Sequence, residues 1–182
     1  MMPINEGKVH FILIAGKMKS GKTTFGNTLK GVHENCLVIH FADCMKKEYA
    51  ALNNVDANLL FTSREFKETH RAGMVDFAET RKKERGNHFW AKKLLETSES
   101  VKYSVIIVPD FRFQEEFDFL RNENCDITTI LVESNQSSPL GVGNPRDIAY
   151  TNEFTSFDHI VKNNGSVNDL RMVAQFIKNL TC

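Results

Sequence analysis

The chain has 182 residues, the length of one compact domain and too short for two ordinary ones. Its 23 Lys and Arg balance 23 Asp and Glu, which excludes a whole-protein field drawing it to nucleic acid or an anionic membrane; any anion site must come from local clustering. Cys36, Cys44, Cys125 and Cys182 fall at long, irregular spacings that suit reduced thiols rather than disulfides or zinc, and the longest apolar run, Phe11 to Ala15, is far too short to span a bilayer.

The opening MMPINEGK lacks a charged region followed by an apolar core, and Leu180-Thr181-Cys182 differs from an S-K-L address, so a cytoplasmic location is expected. Val9 to Ala15 reads as a buried strand of a parallel sheet, ended by Gly16. Directly after it, Gly16-Lys17-Met18-Lys19-Ser20-Gly21-Lys22-Thr23 matches G-x-x-x-x-G-K-[ST], and helix formers resume at Lys22. A chance match in a Gly/Lys-rich turn would not carry both strand and helix in register. The glycines let backbone N–H groups curl around a β-phosphate, the helix N-terminus adds partial positive charge, and the Lys22 ammonium reaches β/γ-oxygens. The Thr23 hydroxyl is the expected protein ligand of Mg2+. Lys17 and Lys19 add cations suited to the charge spread over a phosphoryl-transfer transition state.

Leu37 to Phe41, Tyr103 to Val108 and Ile127 to Val132 have the same β-branched, apolar character, separated by helical stretches. That alternation predicts a three-layer α/β/α domain over residues 1–182 around a parallel sheet. Between the second and third strands, Met45 to Leu52, Ser63 to Glu84 and His88 to Thr97 read as helices of an insertion at about 44–98. If Arg64 to Arg85 is one helix, Arg64, Lys67, Arg71, Arg81, Lys82 and Arg85 fall within an arc of about 100°. Glu65, Glu68, Asp76 and Glu79 share another arc. One-sided cations repel unless an anion faces them, so a substrate phosphate is the expected partner. The alternatives are a solvated face paired elsewhere in the fold, or a helix broken at Gly73.

Asp110 ends the strand Val105-Ile106-Ile107-Val108-Pro109, at the carboxyl edge where open α/β sheets place ligands. It suits a magnesium-bound water or a substrate hydroxyl, with a helix cap as the rival reading. Arg112 suits a bridge to the transferring group. The candidate catalytic set is therefore Lys17, Lys19, Lys22, Asp110 and Arg112. Phe111, Phe113, Phe117 and Phe119 have the spacing of a helix packed on a sheet. Residues 134–155 concentrate Ser, Pro, Gly and Asn and suggest a lid. Asp158 to Val161 reads as a fifth short strand, Asn163-Asn164-Gly165-Ser166 as a loop to cradle a base, and Val167 to Leu180 as a closing helix. The six histidines show no metal-ligand spacing, no G-x-S-x-G elbow is present, and no late N-K-x-D stands to read guanine, which disfavours a GTPase.

In this order, AGKMKSGKTT, MKKEYA, KETHRAGM with FAETRKK, VPDFR and FDHIVKNNGSV resemble the animal-type phosphomevalonate kinases, small members of the nucleoside monophosphate kinase superfamily. The resemblance implies a P-loop kinase fold with a five-stranded parallel sheet, a helical substrate-binding insertion and a lid. It implies ATP at Lys17 to Thr24 and an adenine-contacting loop at Asn163, Asn164 and Gly165. It further implies phosphomevalonate held by Lys46, Lys67, Arg71, Arg81, Lys82 and Arg112, with diphosphomevalonate as product. Thr23 stands where the family often has Asp, Phe113 where a second Arg often follows, and residues 134–147 hold only Arg146. A small phosphorylated metabolite is the expected partner, with no nucleic acid or membrane, and a monomer is the default state. A deoxynucleoside monophosphate kinase and a nucleotide-binding protein with weak catalysis are the alternatives.

Overall fold

A computed structural model describes residues 9–100, 102–137, 154 and 156–181. Five strands form one parallel sheet: β1 (His10–Ala15), β2 (Cys36–Val38), β3 (Val105–Val108), β4 (Asp126–Glu133) and β5 (His159–Lys162), in the order β2-β3-β1-β4-β5. β1 is central, with His10 opposite Val105 on one side and Asp126 on the other. That position explains its unbroken apolar sequence, since both faces of a parallel sheet are covered.

Alternate residues of β1 enter two cores. Phe11, Leu13 and Ala15 join Ile106, Val108, Phe111, Leu94 and Leu120 on one face. Ile12 and Ile14 join Ile107, Ile130, Val132 and Val161 on the other. The second core is closed by α1 (Lys22–Val32), through Phe25 and Leu29, and by the closing helix α7 (Val167–Thr181), through Leu170, Ala174 and Ile177. Truncating Phe25 or Leu29 to Ala removes a fully buried side chain from this layer, at about 3–5 kcal/mol.

The insertion comprises α2 (Phe41–Asn53), α3 (Ala57–Thr62), α4 (Arg64–Arg85) and α5 (Phe89–Glu99), and α6 (Gln114–Asn122) follows β3. The largest boundary differences from the sequence reading lie around the start of α2. The second strand ends at Val38, and helix begins at Phe41 rather than Met45, because Asp110 accepts the N–H groups of Phe41 and Ala42 at 2.9 and 3.0 Å and stabilises the helix start. The short α3 was not expected; Asp56 caps it by accepting from Asn58 N at 2.8 Å. Gly73 does not break α4. A Cβ there would lie 2.6 Å from the Tyr49 hydroxyl, so glycine permits the close crossing of α4 on α2. Phe111 and Phe113 precede α6 instead of lying on it, and only Phe111 of these two is core. Of the expected lid, residues 138–153 and 155, with Arg146, lie outside the described residues; Phe154 packs against Phe111, Phe117 and Phe157. No described helix is long and apolar enough to cross a membrane.

Candidate active site

The loop from Gly16 to Gly21 joins the end of β1 to the start of α1. Gly21 is the N-cap of α1 at φ 92°, with no side-chain cap and no acidic residue in the first turn. α2, α4 and α6 begin with carboxylates or Ser63 on their first amides, whereas α1, like α5, has no such cap; what disposes the α1 start towards an external anion is the glycine-bounded loop that leads into it. A Cβ at Gly21 would meet Asn163 Nδ2 at 2.1 Å, and one at Gly16 would meet Val132 O at 2.4 Å. Only glycine lets the loop approach this closely. Ser20 Oγ is buried without a hydrogen-bond partner, a polar atom left unsatisfied inside a loop shaped for phosphate. Lys22 Nζ donates to Lys17 O at 2.7 Å and to Gly16 O, which sets the ammonium over the loop.

Asn163 Nδ2 donates to Ser20 O at 2.9 Å and Asn163 N donates to Glu133 O at 2.7 Å, so the loop after β5 is tied to the phosphate loop. Asn164 Oδ1 accepts from Asn135 N at 2.8 Å. Lys17, Glu133, Asn135, Lys162 and Asn164 help line a cavity of about 360 Å³ at the ends of β4 and β5. Gly165 lies at the start of α7, where Asp169 accepts from Ser166 N at 2.7 Å and from its hydroxyl at 2.8 Å, holding the Asp169 carboxyl below its usual pKa.

On the other side of the loop lies a cavity of about 430 Å³ whose wall includes Thr23. Lys46, Lys67, Arg71, Lys82 and Arg112, five of the six expected acceptor cations, line it. Lys46 comes from α2, the next three from α4 and Arg112 from the turn after β3. Arg81 does not line it. One residue is a step of about 100° on a helix, and that step turns Arg81 from the cavity to Glu48 of α2, 3.0 Å from its Nε, and to Glu84 at 2.9 Å. The Nε contact with Glu48 is an ion pair without hydrogen-bond alignment.

The expected one-sided array is also less bare than the arc suggested. Arg71 donates twice to Glu68 at 2.6 Å, and Lys82 pairs with Glu115 of α6 at 2.8 Å. The Arg71 hydrogen bonds hold the exposed Glu68 carboxyl below its ordinary pKa. Lys82 Nζ also lies 4.3 Å from the ring centroid of Phe113, which stands on the cavity wall. Lys46 Nζ is 4.6 Å from the Phe61 ring and 3.7 Å from Asp43.

Asp110 also faces this cavity, but both its oxygens are engaged by the first amides of α2. The helix-cap reading is the one the hydrogen bonds display. Glu116, which the sequence reading passed over, is buried on the cavity wall with Oε2 accepting Arg112 N at 3.0 Å and Phe113 N at 3.1 Å. Burial pushes its carboxyl up to about 8, reinforced by Asp110 and opposed by the two amides and Lys82. His40, Met45, Trp90 and Asn87 also line it and were likewise not anticipated, and Glu79, which the sequence placed on the acidic arc of α4, lies on the same wall. A Glu three residues beyond a cap position was the one available signal for Glu116.

Magnesium usually takes one or two protein oxygens and completes its shell with waters and phosphate oxygens, so a single Thr23 hydroxyl beside the phosphate loop is an adequate donor set. Among the described residues no group of three or more His, Cys, Asp or Glu is placed to hold a metal alone.

Residues 14–126 match the family described as Phosphomevalonate kinase. Several solved structures share the fold. The tunicamycin resistance protein of Deinococcus radiodurans is 12% identical, with a TM-score of 0.55, over 95% of both chains. A sugar kinase from Janibacter sp. HTCC2649 is 10% identical, with a TM-score of 0.54, over 95% of both chains. Shikimate kinase from Bacteroides thetaiotaomicron is 16% identical, with a TM-score of 0.52, over 96% of this chain and 98% of that one.

Proposed function

The chain belongs to the phosphomevalonate kinase family, and on that footing we propose that this kinase transfers the γ-phosphoryl group of ATP to the phosphate of 5-phosphomevalonate, giving 5-diphosphomevalonate. One observation carries the reading. The cavity that begins at Thr23, on the first turn after the phosphate loop, is lined by five cations drawn from three parts of the chain. Such a site accepts an anion and presents it to another anion held on the α1 N-terminus.

A phosphate monoester already carries a nucleophilic oxygen, so no general base is required. That oxygen bonds to the γ-phosphorus, the bond from the γ-phosphorus to the bridging oxygen breaks, and ADP leaves with the electron pair. Lys22, Lys17 and Lys19 stabilise the charge on the nucleotide side. Arg112, Lys82, Arg71, Lys67 and Lys46 hold the acceptor. Thr23 would hold Mg2+ in part, and the ion would supply neutralisation of phosphate charge. Asp110 contributes by holding α2, and hence Lys46, against the end of β3. The loop at Asn163, Asn164 and Gly165 and the adjoining cavity take the nucleoside part of ATP. The kinase acts as a monomer in the cytoplasm, without nucleic acid or membrane.

A coupled assay of ADP release with phosphomevalonate beside deoxynucleoside and nucleoside monophosphates tests this. The expected result is turnover with phosphomevalonate at a kcat/KM at least about tenfold above any nucleotide acceptor, a gap of about 1.4 kcal/mol. Trp90 and Phe113 on the cavity wall favour one second reading, an acceptor with a flat base. Preference for a nucleoside monophosphate would replace the first reading with that one, and tight ATP binding without ADP release from any acceptor would overturn both.

A further inference from the structure

Glu116 is the buried polar group of the acceptor cavity that the proposed transfer leaves without a task. In an ordinary capping box the third residue of a helix returns its side chain to the N-cap amide. Glu116 does this to Phe113, and the same oxygen also accepts the amide of Arg112, one residue earlier. It is 7% exposed, on the wall of the acceptor cavity. Capping does not account for that placement. Glu115 already supplies negative charge to the first turn of α6 from a less buried position, whereas a buried carboxyl carries a desolvation cost.

We propose that Glu116 is the positioning residue of the acceptor site: by gathering the Arg112 and Phe113 amides on one oxygen, it fixes the turn that places Arg112 and Phe113 on the cavity wall. Lys82 is included, because its ammonium rests on the Phe113 ring. This rests on the acceptor reading given above. The proton that burial keeps on the carboxyl up to about pH 8 spares the cavity a negative charge beside an anionic acceptor. Asp110 from the end of β3 and Lys82 from α4 act on it directly. Around the same cavity stand His40 and Lys46 at α2, Lys67, Arg71 and Glu79 on α4, and Arg112.

Ionising Glu116 strengthens its amide bonds but repels the acceptor, so alkaline pH raises the KM for acceptor and not that for ATP. The test uses the full chain and its E116Q and E116D variants, with ADP release followed at saturating ATP and varied phosphomevalonate. E116D, one methylene short of the two amides, is expected to raise acceptor KM about tenfold while ATP KM stays within about twofold. E116Q keeps an oxygen for both amides and is expected to hold acceptor KM within about threefold at pH 7. Between about pH 7 and 9 the unaltered protein is expected to show at least a threefold rise in acceptor KM, absent in E116Q. An unchanged acceptor KM in E116D, or the same alkaline rise in E116Q, overturns the proposal.

A second measurement needs no acceptor. The backbone amide resonances of Arg112 and Phe113 are expected to titrate together with a midpoint near 8, and to lose that titration in E116Q. No such titration in the unaltered protein overturns the proposal even if E116D fails to fold. Failure to turn over phosphomevalonate sinks the acceptor reading alone, since the amide titration still decides the role of Glu116.

Discussion

Asp110 joins the sheet to the acceptor-binding helices, and its removal is expected to be felt in stability before chemistry. Its two oxygens accept backbone amides 69 and 68 residues away, at the start of α2. Hydrogen bonds to a charged group contribute about 1.5–3 kcal/mol each, and a carboxylate at a helix N-terminus about 0.3–1 kcal/mol more. These contributions overlap, so Asp110→Ala is expected to cost about 3–5 kcal/mol, a large share of the 5–15 kcal/mol typical of a domain. Asp110→Asn keeps one acceptor oxygen and is expected to cost about half as much. Urea unfolding followed by far-ultraviolet circular dichroism at pH 7 reads both. If Asp110→Ala unfolds within about 0.5 kcal/mol of the unaltered protein while turnover collapses, the carboxylate serves chemistry and the capping account is wrong.

Lys22→Ala is expected to remove most turnover, a loss on the order of several kcal/mol in transition-state stabilisation with little change in unfolding midpoint; near-normal kcat would refute its role. Gly21→Ala places a Cβ 2.1 Å from Asn163 Nδ2 at a φ of 92°, so calorimetric ATP affinity is expected to fall by at least about tenfold. Arg71→Ala is expected to raise acceptor KM about tenfold, whereas Arg81→Ala, which loses pairs with Glu48 and Glu84, is expected to cost about 1 kcal/mol of stability and leave acceptor KM within about twofold. Glu116 imposes a pH dependence of known sign. Its folded pKa of about 8 lies above the ordinary 4.5, so the folded state holds a proton that the unfolded state has released. Stability therefore falls between those values and levels off above, by up to the order of 5 kcal/mol. E116Q is expected to lack that fall in thermal unfolding scans between about pH 5 and 9, and retention of the full slope in the variant would count against the assignment.

What was legible in the sequence had short-range causes. The loop from Gly16 to Thr23 needs particular backbone angles and side chains at consecutive positions, and β1 needs an unbroken apolar run because it is buried on both faces. Helical periodicity was enough to collect Lys67, Arg71 and Lys82. It failed for Arg81 because the competing carboxylate, Glu48, lies on another helix. The start of α2 was missed for a related reason: beside the local Asp43, which accepts the His40 amide, its first two amides are held by Asp110, far along the chain. Composition does not single out Glu116 among the acidic residues of α6; only the packing of that helix removes it from water. Phe113 read as core because aromatic spacing does not reveal that a helix starts one residue later.

Carboxylates, two of them on the same helix as their cation and one on another, also explain how the cavity stands before an acceptor arrives. Five cations around about 430 Å³ would repel one another if nothing answered them. Arg71 is held by Glu68, Lys82 by Glu115 and the Phe113 ring, and Lys46 lies near Asp43 and the Phe61 ring. Pairs that are partly exposed contribute little to stability, so their consequence is geometric: they set flexible side chains in place at a small energetic cost. An incoming phosphate then meets cations already directed to the wall, and the ordering entropy otherwise charged to binding is reduced. Phe113 takes part in this economy as a neutral platform. It supports the Lys82 ammonium together with the Glu115 carboxylate, and the buried proton of Glu116 limits the negative charge of a wall that also carries Asp110 and Glu79.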